Sequence, residues 1–127
     1  MKRAVFSAPG RVDLSGGAAD IFGFTTLSLA IDLRTRCVLE ENQGKITFDV
    51  GEGPIDIDDA RGERYDLLHN IVRRFKLKEG LSFSLSSDIP PSSGLGGSAS
   101  FTVSAIRCLD KMLSLGLNDY EVAEHAQ

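Results

Sequence analysis

The sequence predicts an α+β domain with a largely antiparallel or mixed sheet. Polar and apolar residues alternate, as they do in half-buried strands, over residues 26–41, 45–50 and 81–87, and residues 3–8 and 55–57 have the composition of short strands. The apolar spacing becomes helical over residues 64–77 and 98–115. A run of strands followed by a helix, a strand and a helix is the order of an α+β fold.

The four early strands are predicted from their apolar residues and from the turn residues between them. Pro9-Gly10 is predicted to end the first strand, and residues 11–24 are predicted to form a short extended piece and then a loop. The second strand is long or bent, because its apolar residues change phase near Val38. In order, the predicted strands cover residues 3–8, 26–41, 45–50 and 55–57.

The second half of the chain is predicted to be mostly helical. Basic residues at the end of helix 64–77 suit the helix dipole, and Glu79-Gly80 supplies its stop. Strand 81–87 is predicted to have one buried and one solvent-exposed face, and a loop follows it. Helix 98–115 carries small and apolar residues over almost its whole circumference, which predicts that it is buried.

A last helix is predicted after Gly116, which ends the preceding one. Asn118 is its expected N-cap, with Glu121 in the capping-box position. This helix is still running at Gln127, and an amphipathic helix of about two turns is marginal alone. We therefore expect a truncation or a missing partner half.

Composition limits the classes of function. The chain has 127 residues, 42% of them hydrophobic, which suits one domain or a piece of a larger one. Its net charge of −4 disfavours nucleic-acid binding through bulk charge. No apolar run approaches the roughly 18–20 residues that span a bilayer, and Pro9 interrupts any signal peptide. Cys37 and Cys108 are expected to be buried apolar residues in a reducing cytoplasm.

Three glycines in four positions precede helix 98–115, within PPSSGLGGSAS at residues 90–100. Glycines let a backbone approach a ligand without a Cβ, and the first N–H groups of a helix have no intrahelical partner. Together with the helix dipole they favour an anion such as phosphate. Pro90-Pro91 stiffens the entry, and Ser98 can cap the helix or offer its hydroxyl to a phosphate or a metal ion. The alternative is a plain strand-to-helix loop.

Two other phosphate motifs can be tested against this segment. No Gly-Lys-Ser/Thr occurs in the chain, so a P-loop is excluded. Residues 94–99 fit the loose dinucleotide pattern G-x-G-x-x-G/A. The dinucleotide fold needs a following strand that ends in an acidic residue, but here a second helix follows. A dinucleotide-binding enzyme is therefore a disfavoured alternative.

A second feature lies in APGRVDLSGGAAD, residues 8–20. Arg11 and Asp20 flank Gly16-Gly17 there. An arginine fork suits a phosphate or a carboxylate, and a carboxylate can accept hydrogen bonds from substrate hydroxyls. Taken alone, an exposed Arg–Asp pair of little energetic value explains the segment equally well.

Together the two segments resemble the GHMP kinases, the superfamily of galactokinase, homoserine kinase, mevalonate kinase and phosphomevalonate kinase. PPSSGLGGSA resembles their nucleotide loop P-x-x-x-G-L-G-S-S-A, and APGR-x-x-x-x-GG-x-x-D is similar to their N-terminal substrate motif. The closest branch looks like the kinases of D-glycero-D-manno-heptose 7-phosphate. That branch has a Gly-Gly-x-x-Asp element and Ser-Phe-Thr-Val after the loop, found here at residues 16–20 and 100–103.

The resemblance implies an ATP-dependent kinase of a sugar or sugar phosphate, with Mg²⁺ and the ribosomal protein S5 domain 2-like fold of the GHMP N-terminal domain. The implied nucleotide-binding residues are Pro90, Gly94, Leu95, Gly96, Gly97 and Ser98. The implied substrate-binding residues are Arg11, Gly16, Gly17 and Asp20. Arg11 would also lie near the transferred phosphoryl group, as a catalytic residue, and Ser98 would ligate Mg²⁺.

The sequence departs from the family pattern at two positions. Gly97 replaces the first serine of the nucleotide loop, which removes one hydroxyl from the phosphate cradle. Gly17 stands where galactokinases have a glutamate, which argues against galactose as the substrate.

In the family, a metal-binding glutamate, a catalytic aspartate and the C-terminal domain come after the nucleotide loop. We therefore expect residues 1–127 to be an incomplete N-terminal, ATP-binding domain that lacks the C-terminal domain. It would be inactive alone unless a second chain completes it. The alternative is a non-catalytic binding or assembly domain of the same fold, since that fold also occurs in ribosomal and DNA-handling proteins.

Other side chains capable of chemistry are expected to have structural roles. His69 and His125 stand on predicted helices without a second ligand at metal spacing. A solvated turn is expected for one acidic cluster, and surface or capping roles for two further acids. The cluster is Asp56, Asp58 and Asp59, and the further acids are Asp110 and Asp119.

Overall fold

The computed structural model describes residues 2–15, 27–90 and 97–126. Within these ranges the chain forms five strands and three helices. In chain order they are β1 (Arg3–Ser15), β2 (Leu27–Glu41), β3 (Thr47–Asp49), β4 (Ile55–Asp56), α1 (Glu63–Arg74), β5 (Leu81–Ser87), α2 (Gly97–Leu113) and α3 (Asp119–His125).

The strands form one mixed sheet in the order β1-β2-β5-β3-β4. Of the neighbouring pairs among the described residues, three are antiparallel, and β3 and β5 run parallel. The parallel pair requires a crossover connection, and α1 supplies it between β4 and β5. The predicted α+β fold with a mixed sheet is therefore confirmed.

The prediction that Pro9-Gly10 ends the first strand is wrong. β1 continues to Ser15, and Pro9 pairs with Arg34 of β2. Among the strands that the structure describes, β1 lies at one edge of the sheet and pairs on one side only, and an edge strand tolerates a residue without an N–H. The pairing register of β1 and β2 shifts between Pro9 and Arg11. Pro9-Gly10 therefore causes a local irregularity in the strand pair and does not end the strand.

Helix α1 ends at Arg74, before the predicted end at residue 77. Lys76 takes a left-handed backbone with φ of 55°. The N–H of Lys76 donates to the Arg73 carbonyl at 3.3 Å, and that of Leu77 to the Val72 carbonyl at 3.0 Å. These two bonds form a Schellman motif, and they end the helix before Glu79-Gly80 is reached.

Helix α2 begins one residue before its predicted start and ends at Leu113, where Ser114 turns left-handed with φ of 53°. The predicted capping box of α3 is confirmed. The N–H of Glu121 donates to Asn118 Oδ1 at 2.9 Å, and the N–H of Asn118 donates to Glu121 Oε1 at 3.2 Å.

The core lies between the sheet and the helices. Helix α2 packs across β1 and β2, and α1 and α3 contact α2. The predicted alternation of β5 is confirmed, because its apolar residues are buried and the serines between them are partly exposed. The largest fully buried apolar side chains are Leu39, Ile46, Phe48, Leu68, Phe83, Ile106 and Leu109.

Cys37 and Cys108 are both free and fully buried, as predicted. None of the helices in the described part of the chain has the length and apolar character that crossing a bilayer requires.

Candidate functional site

The direction of α2 determines which end of the sheet its N-terminus reaches. Near the helix C-terminus, Cys108 Sγ lies 3.7 Å from the carbonyl oxygen of Ala4. Two turns earlier, Ser100 Oγ lies 2.8 Å from Thr35 Oγ1, and Thr35 pairs with Ala8 of β1. Helix α2 therefore runs antiparallel to β1, and its first turn lies toward the end of β1 that follows Ala8.

Arg11 lies at this same end of the sheet. It is three positions beyond Ala8 in β1, about 10 Å along an extended strand, and it pairs with Ala30 of β2. The residue is exposed. The fold thus brings the arginine of the N-terminal motif to the end where α2 begins.

The end of β5 meets the start of α2. Ile89 is buried, and Pro90 after it is exposed. A Cβ placed on Gly97 would lie 3.6 Å from Ile89 Cγ2, so the backbone of the first residue of α2 lies close to this side chain. The two described ends of the glycine-rich segment are therefore held next to each other.

The first turn of α2 is suited to an anion. Ser98 and Ala99 are exposed, and the first turn contains no acidic residue. Its leading amides have no partner within the helix, and they stand at the positive end of the helix dipole. An anionic ligand can approach this turn without repulsion from an acidic side chain of the turn itself.

Three hydroxyl groups tie this turn to the sheet. Ser87 Oγ lies 2.8 Å from Thr35 Oγ1, which in turn lies 2.8 Å from Ser100 Oγ. The Ile89 N–H donates to Ser87 Oγ at 3.1 Å, and Ser100 Oγ donates to the Gly97 carbonyl at 2.9 Å. We name these three side chains, Ser87, Thr35 and Ser100, the hydroxyl chain.

Of the predicted site residues, the structure describes Arg11, Pro90, Gly97 and Ser98, and it places all four at the same end of the sheet. The other predicted site residues lie outside the described residues. They are Gly16, Gly17, Asp20, Gly94, Leu95 and Gly96.

The hydroxyl chain was not predicted from the sequence. One signal could have revealed it: Thr35 shares the strand phase of the buried residues Cys37 and Leu39. A hydroxyl at a buried position needs a hydrogen-bond partner, although the strand pattern does not say which one.

The side chains that are expected from the sequence to have structural roles make hydrogen bonds within the fold. His69 Nε2 lies 2.8 Å from the Ala60 carbonyl, and Arg74 Nε donates to His125 Nδ1 at 2.6 Å. Asp110 Oδ1 accepts from the Leu117 N–H at 3.0 Å.

The predicted solvated turn is confirmed, because all three acids of the cluster at residues 56–59 are exposed. Lys45 Nζ donates to Asp58 Oδ2 at 2.8 Å. This hydrogen bond lowers the pKa of the Asp58 carboxyl below its usual range and raises the pKa of Lys45. The cluster is therefore a surface ion pair with neighbouring solvated acids.

The fold is that of an α+β domain in which the exposed first turn of a helix and an exposed arginine lie at the same end of the sheet. Two family models match the chain. One, described as the GHMP kinases N terminal domain, matches residues 65–127. The other, described as the galactokinase galactose-binding signature, matches residues 1–41.

Known proteins match almost the whole chain. D-glycero-alpha-D-manno-heptose 7-phosphate kinase of Campylobacter jejuni is 31% identical, covering 99% of this chain and 42% of the relative. Mevalonate kinase of Thermococcus onnurineus is 28% identical, covering 96% of this chain and 43% of the relative. The crystal structure of a D-glycero-D-manno-heptose 1-phosphate kinase from Bacteroides thetaiotaomicron has a TM-score of 0.74 at 27% identity. The match covers 98% of this chain and 46% of that one.

The chain belongs to the GHMP kinase family and has the fold of that family's N-terminal domain. The relatives it matches are small-molecule kinases named for different acceptors. The chain spans less than half the length of these relatives.

Proposed function

We propose that residues 1–127 form the N-terminal, ATP-binding part of a kinase that phosphorylates a sugar or a sugar phosphate. The observation that carries this proposal is that Arg11 and the exposed first turn of α2 lie at the same end of the sheet. Membership of the GHMP kinase family supports phosphoryl transfer as the chemistry of that end.

In this proposal the ATP phosphates bind at the start of α2. The residues present fit a phosphate, because Gly97 adds no side chain and the first turn carries no negative charge. By their match to the family pattern, Gly94, Leu95 and Gly96 would contribute to the same cradle, and Pro90 would stiffen its entry.

The exposed Ser98 hydroxyl is the proposed protein ligand for Mg²⁺. An oxygen donor suits this hard cation, which binds few protein ligands and keeps several waters. When bound, Mg²⁺ neutralises charge on the β- and γ-phosphates.

Arg11, Gly16, Gly17 and Asp20 are the proposed acceptor-binding residues. A heptose 7-phosphate-like acceptor is the one we favour, on the motif at residues 16–20 and the 31% identity to the Campylobacter jejuni heptose kinase. Gly17 in place of the galactokinase glutamate disfavours galactose, whereas the signature match over residues 1–41 favours it. The acceptor is therefore to be tested directly.

We further propose that the metal-binding glutamate and the catalytic aspartate come from outside residues 1–127. The relatives are more than twice as long as the matched region, which supports this division. A second chain or a C-terminal half would supply both acids. The proposed compartment is the cytoplasm, where free thiols such as Cys37 and Cys108 stay reduced.

Thermal unfolding of this chain with and without Mg-ATP tests the proposal. A ligand that binds only the folded state adds about 2.7 kcal/mol to the free energy of unfolding at 100 times its Kd. We expect Tm to rise with Mg-ATP concentration. An unchanged Tm at millimolar Mg-ATP contradicts the kinase proposal and leaves a non-catalytic domain of the same fold.

Removal of the proposed metal ligand tests the role of Ser98. We expect Ser98→Ala to reduce the rise in Tm with Mg-ATP and to shrink the difference between Mg-ATP and ATP with EDTA. Ser86→Ala is the control, because Ser86 is an exposed serine of β5 outside the proposed site. Equal effects of the two substitutions would remove Ser98 from the metal site.

The acceptor site can be tested by titration calorimetry with D-glycero-D-manno-heptose 7-phosphate and, separately, with galactose. A hydrogen bond to a charged group contributes about 1.5–3 kcal/mol, so Arg11→Ala is expected to raise the Kd for the sugar phosphate at least tenfold. Arg3→Ala is the control on the same strand, since Arg3 is exposed and pairs with Glu40 at 3.4 Å. Tighter binding of galactose than of the heptose phosphate would overturn the proposed acceptor.

A further inference from the structure

The hydroxyl chain joins the two described ends of the predicted nucleotide loop. It starts at the N–H of Ile89, just before Pro90, and it ends at the carbonyl of Gly97, the first residue of α2. Its middle member, Thr35, comes from neither end but from β2, 52 positions from Ser87 and 65 from Ser100.

Proton counting determines the direction of the hydroxyl chain. Each hydroxyl carries one proton to donate. Ser100 uses its proton on the Gly97 carbonyl, so Thr35 must donate to Ser100. Ser87 must then donate to Thr35, and Ser87 accepts from the Ile89 N–H. Every donor is used once, and all bonds point from the end of β5 toward the start of α2.

Burial makes Thr35 the sensitive link. Thr35 is 1% exposed and Ser100 is 2% exposed, so water cannot readily replace a lost partner. Replacement of Thr35 by valine keeps the shape but leaves the oxygen of the buried Ser100 without its donor, whereas the exposed Ser87 can donate its proton to water instead. A buried polar group left without its partner is costly.

We infer that Thr35 is a positioning residue for phosphate binding: it holds the end of β5 and the first turn of α2 in the separation that the nucleotide requires. This inference rests on the proposed function of the α2 N-terminus. Thr35 touches no phosphate in this scheme and acts through Ser100 and Gly97.

The test compares substitutions at buried hydroxyls in this chain. Thr35→Val is expected to raise the Kd for Mg-ATP about tenfold by titration calorimetry, and Thr35→Ser is expected to restore most of the affinity. Ser104→Ala is the matched control. Ser104 is fully buried in α2, and its Oγ donates at 2.9 Å to the carbonyl of Phe101 within the helix. We expect Ser104→Ala to lower Tm without changing the Kd.

A second substitution keeps the inference testable if Thr35→Val does not fold. Ser100→Ala interrupts the hydroxyl chain at its helix end, and we expect a similar rise in the Kd for Mg-ATP. The double variant Thr35→Val with Ser100→Ala is expected to bind about as weakly as either single variant, because both remove one link. Wild-type affinity in Thr35→Val, additive losses in the double variant, or an equal loss in Ser104→Ala would overturn the inference.

Hydrogen exchange separates this inference from the proposed function. In the absence of nucleotide, Thr35→Val is expected to speed exchange of the Ile89 amide, whereas Ser104→Ala is not. Faster exchange of the Ile89 amide in Thr35→Val, together with a wild-type chain that does not bind Mg-ATP, would refute the proposed function and retain the hydroxyl chain. Unchanged exchange at Ile89 would refute the positioning role itself.

Discussion

Gly97 stands where the family pattern has a serine, and its backbone conformation does not require glycine. It lies in α2 and has no left-handed backbone, and a Cβ at this position would make an ordinary contact with Ile89 at 3.6 Å. The structure therefore has room for a side chain here. The contact with Ile89 does not explain why glycine replaces the serine of the family pattern.

This leads to a prediction about backbone entropy. Gly97→Ala is expected to raise the free energy of unfolding by about 0.4–1 kcal/mol, because it restricts the unfolded chain more than the folded one. Gly116→Ala is the control, since Gly116 has φ of 68° and its Cβ would meet open space. The strained backbone at Gly116 predicts a loss of about 1 kcal/mol. Urea denaturation measures both, and changes of the same sign would contradict the argument.

Among the elements, β1 and α1 show what a local pattern leaves undetermined. Pro9-Gly10 has the composition of a strand end, yet β1 passes through it because the strand is at the edge of the sheet. Likewise, α1 stops at Arg74 because the left-handed Lys76 closes a Schellman motif. The spacing of hydrophobic residues predicts neither the edge position of β1 nor the left-handed conformation of Lys76.

Helix α3 depends on its capping box. Asn118→Ala is expected to lower the free energy of unfolding by about 1 kcal/mol, because it removes the side-chain acceptor of the Glu121 N–H. Hydrogen exchange should show the loss first in the amides of α3.

Asn70→Ala is the control for this substitution. Asn70 is exposed within α1, where alanine is the better helix former, so we expect no loss of stability. If both asparagine substitutions destabilise the protein equally, the capping box does not stabilise α3 as argued.

At the scale of the whole molecule, the burial of Cys37 in the core makes the free energy of unfolding depend on pH. The Cys108 thiol beside Cys37 and the burial of the site raise the pKa of the Cys37 thiol far above its ordinary range. Above a pH of about 8.5 the unfolded chain loses this proton, while the folded protein keeps it. The unfolded state then binds fewer protons, and stability falls as the pH rises.

We therefore expect the free energy of unfolding to be insensitive to Cys37 below a pH of about 8.5. Above it, the thiol contributes a fall that approaches about 1.4 kcal/mol for each unit of pH. Chemical denaturation between pH 7 and 10 measures this slope, and Cys37→Ala is expected to flatten it. A thiol reagent should label Cys37 and Cys108 only after unfolding, and rapid labelling of the native protein would contradict their burial.

From its residues, the sequence determined the number and order of the described elements and the start of a helix after a glycine-rich segment. Two motifs, around Arg11 and around Ser98, were sufficient to indicate the GHMP kinase family. These features are local, because strand and helix periods and glycine-rich motifs are read from neighbouring residues.

The tertiary structure alone decided that β1 is an edge strand, that α2 runs antiparallel to β1 toward Arg11, and that Thr35 joins Ser87 to Ser100. Hydrophobic periodicity reports which face of an element is buried. It does not report which distant residue meets that face, and the bond between Thr35 and Ser100 joins residues 65 positions apart. Such contacts form only when sheet order and helix direction are set by the packing of the whole chain.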